Sequence, residues 1–114
     1  MITYSDFTTV IENNVFIVST CLTRATLKEA RELNGILSNA ICNGYKKIII
    51  EMSEIKFVDS TFLGVLVINL KKLMPEGKLG LVGLQPNIHT VVENTHLHKT
   101  FNIFYSRKEA LNCL

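Results

Sequence analysis

Ile48-Ile49-Ile50-Glu51-Met52, followed across a short loop by Val58-Asp59-Ser60-Thr61-Phe62-Leu63-Gly64-Val65-Leu66-Val67, decides the fold. Three consecutive β-branched residues suit a strand buried on both faces, as in a parallel sheet. Residues 53–57 read as the loop. Asp59, Ser60 and Thr61 are all good N-cap residues, because a short side-chain oxygen there accepts a free backbone N–H. From Phe62 to about Leu73 the chain is apolar nearly all round, so the helix it forms has to be largely buried. Pro75-Glu76-Gly77 ends that helix.

Working outward, Ile2 to Val10 and Val15 to Thr20 are β-prone segments separated by Glu12-Asn13-Asn14. Asparagine accepts positive φ, which predicts a hairpin. Thr26 and Glu29 have capping-box spacing. Leu27, Ala30, Leu33, Leu37, Ala40 and Ile41 then recur at helical period, with Gly44 placed to end the helix. Gly35 within it costs about 1 kcal/mol against alanine. Towards the C-terminus, Leu79 to Gly83 reads as another short buried strand. Pro86 suits a first helical turn, with Ile88, Val91 and Val92 inward. Phe101 to Tyr105 is a last strand, and Ser106 with Glu109 opens a terminal helix carrying Ala110, Leu111 and Leu114. The order β-β-α-β-α-β-α-β-α implies an α/β domain over residues 1–114. Its sheet of about five strands is mixed but mostly parallel, with the first strand antiparallel at an edge and helices packed on it.

The chain has 114 residues, 47% of them hydrophobic and 19% charged, which suits one globular domain and excludes a disordered chain. A net charge of +2, with Lys and Arg scattered among the acids, does not argue for nucleic-acid binding. Lys46-Lys47 and Lys71-Lys72 read as solvated flanks of buried elements. Cys21, Cys42 and Cys113 are odd in number and form no C-x-x-C pair, so neither a disulfide framework nor a cysteine zinc site is expected. They read as small buried thiols in a reducing compartment. The stretch Met1 to Asp6 has no basic region followed by an apolar run, so no signal peptide is expected, and a cytoplasmic protein is. Phe62 to Leu70 falls far short of the roughly 20 residues of a membrane span.

Enzyme chemistry has little support. The chain carries no G-x-S-x-G elbow, P-loop or G-x-G-x-x-G. His96 and His98 form an H-x-H pair without an acid or cysteine at ligand spacing, and His89 stands apart; solvated or capping roles are expected. No catalytic residue, metal or cofactor is expected, and unfolding should be indifferent to chelators. At Asp59-Ser60-Thr61 two readings compete. One is plain N-capping, worth about 1 kcal/mol. The other begins from the same geometry: a helix start with free N–H groups favours a phosphate, and a serine hydroxyl there can take one without unfolding the helix.

The strand Ile48 to Met52, the loop Glu54-Ile55-Lys56-Phe57 and the run Asp59-Ser60-Thr61-x-Leu63-Gly64 resemble the signature of the STAS domain family, which includes sulphate transporters and anti-sigma-factor antagonists. Leu22-Thr23-x-x-Thr26, Leu81-Val82-Gly83-Leu84-x-Pro86, Thr95-x-Leu97 and Phe101-x-Ile103 extend the resemblance over almost the whole chain. The resemblance implies an anti-sigma-factor antagonist. Ser60 would be phosphorylated by a serine kinase that is also the anti-sigma factor, a serine phosphatase would reverse this, and binding would be to the unphosphorylated form. It implies partner contacts by Asp59, Ser60, Thr61 and Thr23, with Leu63 and Gly64 as structural positions, Gly64 permitting close packing. Antagonists of this type usually carry glycine where Phe62 stands and aspartate where Thr23 stands. Phe62 is therefore expected to be a partly exposed anchor for the partner. Two other readings remain: a constitutive accessory subunit of a membrane lipid transporter, and a small-molecule or nucleotide-binding domain. No membrane insertion is expected, and the oligomeric state stays open.

Overall fold

A computed structural model describes residues 6–96 and 100–114. The expected strand residues Ile2 to Ser5, together with Leu97 and His98, lie outside the described residues. The hairpin consists of β1 (Phe7–Glu12) and β2 (Val15–Thr20), paired antiparallel from Phe7↔Thr20 to Glu12↔Val15. Asn13 and Asn14 both have positive φ, 53° and 65°, which is the two-residue turn whose twist matches that of the strands. After a two-residue strand, β3 (Arg24–Ala25), comes α1 (Leu27–Cys42). Glu29 Oε1 accepts from the Thr26 amide at 2.9 Å and from its hydroxyl at 3.0 Å, and Gly44 at φ 92° turns the chain out of the helix. Leu27, counted among the inward residues, is exposed instead, as the first residue of the helix.

β4 (Lys47–Glu51), a second two-residue strand β5 (Phe57–Val58), α2 (Ser60–Leu73), β6 (Lys78–Val82), α3 (Pro86–Glu93), β7 (Asn102–Phe104) and α4 (Arg107–Cys113) follow. The main sheet has the order β1-β2-β4-β6-β7, parallel except for β1. This is the expected α/β architecture. The C-terminal ends of β2, β4, β6 and β7 share one edge of the sheet. Because α1 and α2 run back from that edge, both helices start there.

The pairing registers divide the strand residues between two faces. Phe16, Val18, Ile48, Ile50, Leu79 and Leu81 face α1, α2 and α3, and join Leu33, Leu37, Phe62, Leu66, Ile88 and Phe101 in the larger core. Val15, Ile17, Ile49 and Val82 face α4 through Ala110. The thiols correct the sequence reading: Cys21, Cys42 and Cys113 are all exposed, at strand and helix ends rather than in either core.

α4 is short, and one polar cluster ties it to the sheet. Arg107 donates to Glu51 through Nε at 3.0 Å and Nη2 at 2.6 Å, to Glu12 at 3.2 Å and to Ser19 at 3.2 Å. The guanidinium, with the Ser19 hydroxyl, holds the Glu51 carboxyl below its usual range, while partial burial opposes this. A carboxyl depressed in the folded state stabilises the fold above its unfolded value and loses that contribution as pH falls through the folded one. Arg107→Met should cost about 2 kcal/mol near neutral pH. It should also flatten the loss of stability that the wild type shows below about pH 4.5. Urea unfolding at neutral and acid pH measures both.

Candidate functional site

The two-residue strands build the site. β3 pairs parallel with β5, Arg24 opposite Phe57 and Ala25 opposite Val58. The Thr23 carbonyl accepts from the amides of both Lys56 (2.8 Å) and Phe57 (3.1 Å), and the Ala25 carbonyl accepts from Asp59 N at 3.2 Å. The segments before α1 and α2 are therefore stitched into one ribbon beyond the sheet edge. Thr23 and Ser60, far apart in sequence, are brought to the same end of the molecule.

At the start of α2 the three candidate caps have separate roles. Asp59 is the N-cap: its Oδ1 accepts from Phe62 N at 2.9 Å and from the Thr61 hydroxyl at 2.5 Å. The Thr61 hydroxyl, then the Phe62 amide, hold the Asp59 carboxyl below its usual range. Ser60 is the first helical residue, is exposed, and its hydroxyl has no partner among the described residues. Thr61 is exposed too, but its hydroxyl is committed to Asp59.

Phe62 is the main correction. It was expected to be partly exposed, yet its ring is fully buried, at 0% accessibility. Position 62 lies one turn into α2 on the side that packs into the larger core with Leu66 and Leu70. A helix apolar on every side gives no clue to which side that is. The Gly64 expectation also changes. A Cβ built there meets nothing within 4 Å, so no close packing requires glycine.

Two exposed aromatics stand at this end: Tyr105, 93% accessible just past β7, and Phe57, 42% accessible with the Arg24 guanidinium 4.4 Å from its ring centroid. The sequence reading passed over the Arg24–Phe57 pair, because pairing between two-residue strands leaves no periodic signal. Thr23 and Arg24 also line a shallow cleft of about 390 Å³ with Asp6, Cys21, Leu22 and Glu54. Ser60 is not among its lining residues. Among the described residues, no three His, Cys, Asp or Glu side chains gather where they could hold a metal ion. His89 faces Glu93 at 2.5 Å across one helical turn. No helix among the described residues is long and apolar enough to cross a membrane.

The sequence profile of the STAS domain matches residues 10–110. Among solved structures, an anti-sigma factor antagonist from Mycobacterium paratuberculosis superposes with a TM-score of 0.79 at 25% identity, covering 93% of this chain and 92% of the other. The Bacillus cell fate determinant SpoIIAA in its phosphorylated form gives 0.75 at 18% identity, over 93% and 96%. A sulfate transporter family protein from Wolinella succinogenes gives 0.75 at 20% identity, over 90% and 86%.

These roles predict three distinct costs in denaturant unfolding. Phe62→Ala should cost about 3–5 kcal/mol through the cavity it leaves. Asp59→Ala should cost about 1 kcal/mol through loss of the cap. Ser60→Ala should stay within about 0.5 kcal/mol, since that hydroxyl caps nothing.

Proposed function

The chain belongs to the STAS domain family, and we propose that it is an anti-sigma-factor antagonist, a protein-binding switch set by phosphorylation of Ser60. One observation carries this reading. Of the two adjacent hydroxyls at the start of α2, Thr61 is held by the cap carboxylate, and Ser60 is exposed and free among the described residues. On the first turn of α2 a kinase meets one uncommitted hydroxyl, that of Ser60.

On this reading the protein works by binding, in the cytoplasm, and carries out no chemistry of its own. Its partner is an anti-sigma factor that is also a serine kinase, and a serine phosphatase resets it. The binding surface consists of Ser60, Thr61 and the Asp59 cap, extended by Thr23 and the exposed Arg24–Phe57 pair across the ribbon. Phe57 takes the anchoring role for which Phe62 is too deeply buried; aromatic and arginine side chains are frequent anchors in interfaces. A phosphate on Ser60 adds about −1.5 to −2 charges beside the Asp59 carboxylate. An interface fitted to a neutral hydroxyl then faces a charge it has to desolvate. A loss of about 3 kcal/mol weakens binding by about 150-fold, enough to release the partner.

Intact-mass analysis and titration against the kinase partner, with and without ATP, test the switch. The wild type should gain one phosphate and lose affinity. Ser60→Ala should stay unmodified and bind persistently, and Ser60→Asp should bind more weakly by at least about tenfold. Thr61→Ala should still be phosphorylated. A wild type that accepts no phosphate, with Ser60→Asp binding as tightly as wild type, would replace the switch with a constitutive subunit role.

A further inference from the structure

At the opposite pole from Ser60, where β4 and β6 begin and α1 and α2 end, the surface is dominated by lysine. Lys47 stands directly opposite Lys78 across the β4–β6 pairing, and the Lys46 carbonyl accepts from the Lys78 amide at 2.8 Å. Lys46 and Lys72 line one cleft, of about 250 Å³, together with Tyr45, Met74 and Glu76. Lys71 adjoins Lys72 in the last turn of α2. All five lysines are exposed. Among the described residues Glu76 pairs with Lys46 at 2.5 Å, and the five lysines outnumber the acidic groups around them, so the pole keeps a net positive charge. Lys47 Nζ donates to the Leu114 oxygen at 2.9 Å, and Lys72 Nζ lies 3.5 Å from the neutral Ser38 hydroxyl.

Two lysines in the last turn of α2 also suit the helix dipole, which accounts for Lys71 and Lys72 alone. It does not account for the apolar side chains beside them. Ile68, one turn before Lys71 and Lys72, is 52% accessible, and Met74 is 47% accessible. Half-buried Tyr45 lines the same cleft as Met74. Lysines interleaved with exposed aliphatic groups and a tyrosine match the boundary of an anionic bilayer, where ammonium groups meet headgroups and apolar tips enter the acyl edge. Among the described residues the pole presents no arginine, the residue whose planar fork suits fixed, bidentate phosphate geometry in nucleic acid.

We propose that this lysine pole docks the protein on an anionic lipid surface, peripherally, with the Ser60 end facing water. The inference does not rest on the phosphorylation reading. Each lysine near such a surface is worth about fivefold in partitioning. Attraction of this kind weakens as added salt shortens the screening length.

Co-sedimentation of the full chain tests the proposal, using vesicles of phosphatidylcholine alone and of phosphatidylcholine with phosphatidylglycerol in equal parts. The expected result is binding to the anionic vesicles only, lost when salt is raised from about 0.1 M to about 1 M. Lys71→Glu/Lys72→Glu, which reverses two exposed charges, should lower binding at least about 20-fold. Met74→Ser should lower it about threefold. Lys108→Glu, an equal change per residue outside the pole, should leave it within about twofold. Thermal unfolding of each variant confirms that it is folded. No binding to anionic vesicles, equal loss with Lys108→Glu, or tighter retention of duplex DNA than of lipid would overturn the proposal, the last in favour of a nucleic-acid surface.

Discussion

Ile48, Ile49 and Ile50 have no accessible surface at all. Successive strand residues point to opposite faces, so a run of three fully buried side chains can exist only if both faces of the sheet are covered. That requirement organises the rest of the molecule. The large apolar layer of α1, α2 and α3 covers Ile48 and Ile50. Ile49 would stand in water without α4, and α4 is held by Arg107 reaching Glu51, the residue that follows the three isoleucines. One strand thus carries both the demand for a second covering layer and the carboxylate that anchors it.

Much of this was legible from local chemistry. The Asn13-Asn14 turn, the capping pair of α1, Gly44, Pro86 at the start of α3 and the apolar run of β4 each declare themselves within a few residues. The five-strand sheet followed from their order. What could not be read depends on distance or on depth. Arg107 meets Glu51 across 56 positions and Glu12 across 95, with no periodic pattern to announce either contact. β3 and β5 exist only because each has the other to pair with. Phe62 shows the limit of patterning most clearly. In a helix apolar all round, the sequence records that a ring is present and not which way it points.

The same division applies to the site. The motif identified Asp59, Ser60 and Thr61 as a group, but only geometry assigned one as cap, one as the cap's hydrogen-bond donor and one as an uncommitted hydroxyl. A carboxylate cap that also engages Thr61 leaves the Ser60 hydroxyl as the uncommitted one of the pair. The ribbon that carries this group also brings Arg24 over Phe57, so an aromatic surface arises at a position where the residues alone suggested only a loop.

The unequal covering of the two faces sets an order of events when the molecule opens. The layer over Ile48 and Ile50 consists of three helices interlocked through many buried side chains; the layer over Ile49 is the seven residues of α4, packing through Ala110 and Leu111, with Leu114 just after them. Local unfolding draws on the least-packed unit first. α4 is therefore a detachable lid over half of an otherwise closed strand. Its release bares Ile17, Ile49 and Val82 while the hairpin, the ribbon and the Ser60 turn keep their shape. In the folded ensemble the amides of α4 would exchange with solvent well ahead of those of β4. A protease or a self-association event acting on that partly open form would begin at the back of the sheet, away from the Ser60 turn.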